Sequence, residues 1–238
     1  GWAAKELTEA GLETLLLDAG PPPDPSRDFA HHEQPYQRPY WGLPRPENST
    51  QPAPENLPLV WADHPDHPFS TEPGKPFRWI RSRIVGGRTL HWSRAYAEGL
   101  PQLPDGKFLP GMPYNCAEQI LRGAAKRMGL PATHRRIAQL SRPHKGRPAC
   151  HYCGSCHKGC DVGAMFNSVA STLPWAEKTG KLTLRPDSIV RAVVAGEDGR
   201  ARGVSVVDRI TKQETEYRGR VVMLAASAME NVRLLLNS

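Results

Sequence analysis

The sequence predicts an α/β protein, and two stretches near its ends support this fold class. Apolar residues recur at helical spacing in residues 1–10, and a short apolar strand, residues 14–17, follows and ends at Asp18. Near the other end, an apolar run at 221–226 leads into Ser227 and a second helical pattern. A strand followed by small residues and a helix is typical of the carboxyl edge of a parallel sheet, where helix N-termini face ligands. We therefore predict a Rossmann-like α/β sheet.

Residues 1–20 read as a helix, a turn and a buried strand. Gly11 ends the helix, and Asp18 closes the strand. Helix, strand and terminal acid form the second half of a βαβ dinucleotide-binding unit, in which the acid hydrogen-bonds an adenosine ribose. Gly1 then takes the place of the last glycine in the preceding turn. A helix-capping or surface role is the alternative for Asp18.

The stretch 21–76 predicts an irregular excursion. It is rich in proline and histidine, and Pro21-Pro22-Pro23 cannot join a helix or an interior strand. Loops of this length are usually functional or disordered. Four histidines suggest a metal site, but their spacing is not that of ligands, so we expect exposed loop side chains at His31, His32, His64 and His67.

Residues 77–98 predict a return to regular structure. Two strand-like runs, 77–81 and 84–85, lead into Gly86 and Gly87. Glycines let the backbone approach a ligand closely, and their amides can face a phosphate or a cofactor ring. Thr89 and His91 follow with side chains that can form hydrogen bonds. The alternative for this stretch is a glycine turn with a core histidine.

The remaining elements follow from periodicity and turn residues. Residues 99–142 read as loop up to Pro113 and then as one helix from about Cys116 to Met128, with Cys116 as a buried small hydrophobe. In the last segment, 143–238, a helix through Ala176 is followed by predicted strands at 182–184, 189–194, 203–207 and 221–226. Gly199 is placed in a hairpin turn, and 211–216 is placed in a polar turn.

Four of the five cysteines lie within eleven residues, 150–160, with the spacing C-x2-C-x2-C-x3-C. Bacterial iron–sulfur proteins use this run, although proline usually stands where Asp161 is found here. Gly154 and Gly159 relax the backbone so that the thiolates can turn inward. Zinc modules usually separate two close pairs by a dozen or more residues, and a metal-free thiol knot or a disulfide is the other alternative. The candidate metal ligands are Cys150, Cys153, Cys156 and Cys160.

Composition narrows the possible partners. The net charge of +7 suits anionic ligands, but no basic run interleaved with aromatics indicates nucleic acid. No apolar run is long enough for a membrane span, and no signal peptide is visible. Clustered cysteines do not resemble a secreted disulfide framework and favour a reducing or metal-loading compartment. The sequence leaves the compartment open between cytoplasm and periplasm.

Five of these stretches together resemble the GMC (glucose–methanol–choline) flavoprotein oxidoreductases, particularly their bacterial dehydrogenase-like members. Residues 1–20 look like the FAD-binding opening of the family, and 85–92 like its second flavin-contacting loop. Residues 182–190 look like the strand whose backbone touches adenine, and 225–238 like the late strand and helix of the FAD domain. The run 153–164 also recurs in this group. The five motifs stand in the family's order.

The resemblance implies FAD as cofactor, a small-molecule alcohol or sugar as substrate, and hydride transfer from a carbinol C–H to the flavin. It implies cofactor-binding roles for Gly1, Asp18, Gly86, Gly87, Thr89, His91, Val190, Ala226 and Ser227. The segment 99–142 then corresponds to part of a substrate or cap region. The family's first strand with its G-x-G-x-x-G turn and its C-terminal catalytic histidine have no match here, so the catalytic residue is unassigned. We expect a fragment that is inactive alone.

The resemblance is more specific in the motif around His91. The order Val-Gly-Gly-x-x-x-His-Trp is similar to that of pyranose oxidases, in which the matching histidine carries FAD covalently. We predict that His91 lies against the flavin. Covalent attachment, a hydrogen bond and simple packing are the three alternatives for its role.

The cysteine run gains a role from the same resemblance. Some GMC-like dehydrogenases that pass electrons to a cytochrome partner hold an iron–sulfur cluster near the flavin. This implies a possible cluster here and an electron-accepting subunit or cytochrome as partner. Two alternatives of other classes stay open: a non-catalytic metal-binding or electron-transfer module, and an inactive remnant.

Overall fold

The structure is a computed structural model, and it describes residues 1–30, 32, 37, 70–75, 82–90, 108–130, 132, 137–156 and 159–238. The chain divides into two units. The first unit comprises Gly1–Pro23, Arg45–Arg88 and Thr172–Ser238, and the second comprises Asp24–Pro44 and Thr89–Ser171.

The first unit begins with the predicted helix and strand. Helix α1 spans Trp2–Glu9, and strand β1 spans Thr14–Leu17. Gly11 adopts a left-handed φ of 87° just after the helix, which confirms its predicted role as the residue that ends it. Helix α4, Thr172–Lys178, packs against α1 through buried side chains that include Ala4, Leu173 and Ala176.

Two sheets are formed by the described strands of this unit. Strand β1 pairs in parallel with β2, Leu182–Arg185. Strand β3, Ser188–Ala195, pairs antiparallel with β4, Ala201–Asp208, and β4 pairs antiparallel with β5, Glu214–Arg218. Gly199, with φ of 70°, lies in the connection between β3 and β4, as the sequence predicted. Helix α5, Ala228–Leu236, contacts β3, and Leu234 is its buried residue.

The prediction of a turn at 211–216 is wrong for the second half of that segment. The turn is held by Asp208, whose side chain accepts hydrogen bonds from the amides of Ile210 and Thr211. The chain then enters β5 at Glu214. This strand lies at an edge and is mostly exposed, so it can be polar on both faces and carries no hydrophobic alternation to reveal it.

The apolar run 221–226, predicted as a buried strand, is not one in the described part of the chain. It pairs with none of the described strands, and Val221 is 82% exposed and Met223 is 56% exposed. A continuous apolar strand needs neighbours on both edges and cover on both faces. Hydrophobicity alone indicated burial, whereas strand formation depends on partners that no described strand supplies.

The prediction of a strand at 84–85 is wrong, and the alternative prediction of a glycine turn is confirmed. Residues 84–87 form a turn, closed by a 2.8 Å hydrogen bond from the Gly87 amide to the Ile84 carbonyl, and not a strand. Gly86 and Gly87 have φ of 96° and 52°, values that turn the chain instead of extending it. A 3-10 helix, Gly87–Leu90, follows. The strand predicted at 77–81 lies outside the described residues.

The second unit contains two described helices. Helix α2, Pro25–Asp28, is one helical turn inside the stretch predicted to be irregular; Asp24 caps it and Pro25 occupies its first position. Helix α3, Cys116–Arg127, confirms the predicted helix, and Asn115 and Glu118 form a reciprocal capping box at its start.

Cys116 is exposed, so the prediction of a buried thiol is wrong. The residue opens α3, and no described side chain of that helix is buried. The apolar face that suggested burial is exposed as well, with Ile120 72% and Leu121 68% exposed. The described core of this unit instead contains Phe29, Leu90, Ala164 and Met165.

Candidate functional site

Asp18 lies at the carboxyl end of β1, where three segments of the first unit meet. Its amide donates to the carbonyl of Arg185 at 3.1 Å, and its carbonyl accepts from the amide of Ser188 at 2.8 Å. Its carboxylate Oδ1 accepts from the amide of Gly20 at 3.0 Å. The backbone is therefore fixed on both sides of the side chain, and the Asp18 Oδ2 atom accepts no hydrogen bond from the described residues.

The electrostatic setting of Asp18 is unusual for a carboxylate. Its pKa is raised to about 6, mainly by burial and to a smaller extent by the nearby Asp187. The Gly20 amide and the amino group of Gly1 act in the opposite direction. Gly1, the residue before α1, is therefore close enough to Asp18 to affect its pKa.

Backbone hydrogen bonds join the segment of the glycine turn to the chain just after β1, next to Asp18. The Val85 amide donates to the Pro21 carbonyl at 3.0 Å, and the Asp187 amide donates to the Gly20 carbonyl at 3.0 Å. Ile84 and Val85 are buried. The turn carrying Gly86 and Gly87 thus follows directly from a segment that is held against the end of β1.

Glu230, in the first turn of α5, joins two arginines of the first unit. It accepts from Arg83 at 3.3 Å and from Arg233 at 2.7 Å. Burial alone would raise the pKa of Glu230, but the hydrogen bonds and charges of Arg233 and Arg83 outweigh burial and lower it. Arg233 also donates to the carbonyl of Val190 at 2.8 Å. These four residues, which we call the arginine bracket, connect β3, α5 and the residue that precedes the glycine turn.

Two predicted cofactor residues lie at the start of α5. Ser227 is the N-cap, and its side chain accepts from the Glu230 amide at 3.3 Å. The Ala226 amide donates to the Asn231 side chain at 3.2 Å. Both residues are exposed. Both therefore lie at an accessible helix N-terminus while also making local capping contacts.

Thr89 and His91 belong to the second unit. The Thr89 hydroxyl accepts from the Ser168 amide at 3.0 Å and lies 3.3 Å from the Ser168 hydroxyl. Thr89 thereby ties the end of the 3-10 helix to the segment that precedes α4. His91 lies outside the described residues, so its predicted contact with flavin stays a prediction.

The four thiols of the cysteine run do not together form a group of described ligand atoms close enough to share a single ion. Cys150 Sγ accepts from the Tyr152 amide at 3.3 Å, and Cys160 Sγ accepts from the Met165 amide at 3.5 Å. All four thiols are unpaired and partly buried. Within the described ranges, just one group of potential ligand atoms lies close enough together for an ion, and Cys153 is its only cysteine.

That group is formed by His32, His151, Cys153 and Asp161, which we call the His-Cys-Asp cluster. One ligand atom from each side chain lies within 4.8 Å of the others. Asp161 Oδ1 is 3.1 Å from His151 Nε2, and Asp161 Oδ2 is 3.3 Å from His32 Nε2. The prediction that His32 is an exposed loop side chain is wrong, because its side chain is only 30% exposed and faces this cluster.

Sequence reasoning noticed Asp161 only as the residue that stands in place of proline. His32 could not be connected with the cysteine run, because the two are far apart in the chain and no spacing rule joins them. Burial raises the pKa of the Cys153 thiol, and the neighbouring Cys156, Asp161 and Cys160 add to that rise while a hydrogen bond from Ser155 opposes it. The thiol therefore lies near the Asp161 carboxylate, and an added cation would favour its ionised form.

None of the described helices is both long and apolar enough to cross a membrane.

Comparison with known proteins identifies the family. The model of the GMC oxidoreductase family matches residues 110–238. A fructose dehydrogenase large subunit from Gluconobacter japonicus is 26% identical over 292 residues, which cover 98% of this chain and 51% of that protein. A 6'''-hydroxyparomomycin C oxidase from Streptomyces lividus is 31% identical over 131 residues, which cover 51% of this chain and 22% of that protein. The chain thus spans about half the length of the first of these relatives. It belongs to the GMC oxidoreductase family.

Proposed function

We propose that this chain is the FAD-binding portion of a flavoenzyme that oxidises the CH–OH group of a sugar or alcohol. GMC oxidoreductases bind FAD, and both named relatives are oxidoreductases. The observation that supports the proposal most is the position of Asp18, at the carboxyl end of a parallel strand and beside the start of α1. That is where a dinucleotide fold places the acid that binds the adenosine ribose.

The residues at this edge fit the adenosine end of FAD. Asp18 keeps one carboxylate oxygen without a hydrogen-bond donor among the described residues, so it can accept from a ribose hydroxyl. A Cβ built on Gly87 would meet no atom within 4 Å, so space is open beside the glycine turn. The N-terminus of α5 offers amide groups at an exposed position. These features are what the binding of an anionic dinucleotide requires.

The arginine bracket supports a positioning role. Val190, Gly86, Gly87, Ala226 and Ser227 are proposed FAD-binding residues on three separate segments of the first unit. Glu230 and its two arginines hold these segments to one another, so the bracket would fix their backbone geometry before the cofactor binds. Preorganised backbone contacts reduce the free-energy cost of ordering the site on binding.

When bound, FAD supplies the acceptor for the hydride that leaves the carbinol carbon. We assign no base within this sequence for the accompanying hydroxyl proton. The part played by the residues of this chain is to hold the cofactor: Asp18 by a hydrogen bond, and the glycine turn and the start of α5 through backbone amides.

Substrate and electron acceptor follow by analogy with the named relatives. One relative is a dehydrogenase named for fructose, and its name describes it as a large subunit. We therefore propose a sugar-type substrate and an electron-accepting partner subunit. An iron–sulfur cluster on Cys150, Cys153, Cys156 and Cys160 stays a prediction. No group of described ligand atoms that could share a single ion contains more than one of these thiols, so we derive no electron transfer through them.

The test is a flavin-binding measurement on the full-length protein with Asp18→Ala. Wild-type protein should copurify with FAD, and its flavin absorbance should bleach anaerobically with a suitable sugar. Loss of a hydrogen bond to a charged acceptor costs about 1.5–3 kcal/mol, so FAD affinity should fall roughly 10- to 100-fold. Glu197→Ala, at an exposed position in the β3–β4 connection, is the matched control. Absence of FAD from the wild-type protein, or unchanged affinity in Asp18→Ala, would contradict the proposal.

A further inference from the structure

The His-Cys-Asp cluster has the dimensions of a metal site. Zinc binds nitrogen and oxygen ligands at about 2.0–2.2 Å and sulfur at about 2.3 Å, so tetrahedral ligands lie about 3.3–3.8 Å apart. The Asp161 oxygens are 3.1 and 3.3 Å from the Nε2 atoms of His151 and His32. The largest separation of 4.8 Å within the cluster requires a shift of about 1 Å to reach that range.

One potential ligand atom of this cluster, His32 Nε2, lacks a hydrogen bond among the described residues. His32 Nε2 is buried and has no hydrogen-bond partner among the described residues, although it faces Asp161. The His32 and His151 rings have their centroids 5.2 Å apart and share this one carboxylate. A buried polar atom without a partner costs about 1–3 kcal/mol. A cation bound between the two nitrogens and the carboxylate would remove that cost.

The backbone conformation at Tyr152 positions two of the proposed ligands, His151 and Cys153. Tyr152, between two of the ligands, has a φ of 62°, which a bulky residue rarely adopts. This backbone reversal allows His151 and Cys153 to face the same side, and such strain is often found at functional sites. Tyr152 itself is 59% exposed, so packing of its side chain does not explain the strain.

Phe29 explains how His32 reaches the cluster. Its side chain is 2% exposed, and its ring lies where a Cβ on Gly159 would come within 2.4 Å of it. The segment after α2 is thereby anchored against the cysteine run, three residues before His32. The chain after α2 therefore contacts the cysteine run at two points, first at Phe29 and then at His32.

The ligand set indicates which ion would bind. Two imidazoles, one thiolate and one carboxylate form a mixed nitrogen, sulfur and oxygen set that suits zinc, whereas iron–sulfur clusters are held mainly by several thiolates. We propose that His32, His151, Cys153 and Asp161 bind one divalent ion of the zinc type in a closed, four-coordinate structural site. The ion would fasten the His32 segment to the cysteine run. The inference does not depend on flavin chemistry, since metal content is measured without substrate.

The test is metal and acid-labile sulfide analysis of the full-length protein purified anaerobically. We expect about one zinc ion per chain and no sulfide, as for a closed structural site. His32→Ala and Asp161→Asn should lose the ion. Two matched controls should keep it: His144→Ala, at an exposed histidine of the same unit, and Cys156→Ser, which removes a thiol outside the cluster.

Three results would overturn the proposal: iron with stoichiometric sulfide, loss of metal in Cys156→Ser as complete as in His32→Ala, or no retained metal in the wild type. A second measurement covers variants that fail to fold. Cobalt(II) added to metal-stripped wild-type protein should give intense tetrahedral d–d bands and a thiolate-to-cobalt charge-transfer band. Weak octahedral bands without charge transfer would also overturn the assignment.

Discussion

Gly20 lies so close to Arg83 that no side chain fits between them. A Cβ built on Gly20 would stand 2.1 Å from the carbonyl carbon and oxygen of Arg83 and 2.3 Å from the amide nitrogen of Ile84. All three atoms belong to backbone, so none can move aside as a flexible side chain would. The end of β1 and the segment before the glycine turn are therefore in direct backbone contact.

Gly20→Ala should strongly destabilise the first unit, by about 3 kcal/mol or more, because the added methyl must displace backbone. The melting temperature followed by circular dichroism measures the effect. Gly123→Ala is the control: its Cβ would meet only the Arg127 side chain at 3.8 Å, and helix propensity predicts a gain of up to about 1 kcal/mol. Equal melting temperatures for the two variants would show that the close approach is absent.

Asp18 should make stability depend on pH. Its pKa is raised from 3.8 to about 6 by burial, so the folded protein holds this proton more tightly than the unfolded chain. The free energy of unfolding should therefore fall as the pH rises through this range and stay lower above it. A shift of about two pKa units corresponds to at most about 3 kcal/mol, reduced by the partial exposure of the side chain.

Asp18→Asn should remove that slope. The Asn side chain keeps an oxygen for the Gly20 amide but carries no charge, so the variant should unfold at a higher denaturant concentration than wild type at neutral pH. Near pH 4 the two proteins should be nearly equal in stability. Asp198→Asn, at an exposed position, serves as control. Wild-type protein that is more stable than Asp18→Asn at neutral pH would contradict the assigned pKa.

Glu230→Gln should weaken the arginine bracket. It removes the charge that Arg83 and Arg233 share, and hydrogen bonds to charged groups contribute about 1.5–3 kcal/mol each, so a loss of about 1–3 kcal/mol is expected. Because the pKa of Glu230 is lowered in the fold, its contribution is present above the ordinary value of 4.5 and is lost as the pH falls through the folded pKa. Urea unfolding of both proteins across this range measures it. A stability difference that grows on acidification would refute the arrangement.

Cys116 should be the first thiol to react with a maleimide. It is exposed at the start of α3, whereas the four thiols of the cysteine run are partly buried. Labelling followed by mass spectrometry of tryptic peptides should show a fast phase at Cys116 that disappears in Cys116→Ser. If the run labels as fast as Cys116 in metal-replete protein, its thiols are more accessible than the structure shows.

The sequence identified the elements that depend on local signals. Helical periodicity located α3, which the structure shows to be capped by Asn115 and Glu118, while Gly11 marks the end of α1 and Gly199 the hairpin between β3 and β4. Each of these residues acts on backbone groups within a few positions, so the chain alone contains the information. The position of Asp18 at the end of β1 was also predicted, because its place after a strand is a local pattern.

The features that the sequence did not predict depend on contacts between distant parts of the chain. The run 221–226 has the hydrophobicity of a buried strand, but pairing requires neighbours that no local pattern can supply. The bond between Arg83 and Glu230 joins residues 147 positions apart. His32 looked like a loop histidine because Phe29, which holds its segment in place, gives no signal of its docking partner. Periodicity cannot report such contacts.

Gly159 lies within the cysteine spacing motif, but the backbone conformation and the Phe29 ring are what require a glycine there. Within C-x3-C it would pass as a flexible spacer between thiols. Its φ of 119° already disfavours other residues, and any side chain would strike the Phe29 ring. Natural variation at this position should therefore be confined to glycine for as long as an aromatic ring occupies position 29, whatever happens to the cysteines on either side. The two positions are expected to change together over evolution or not at all.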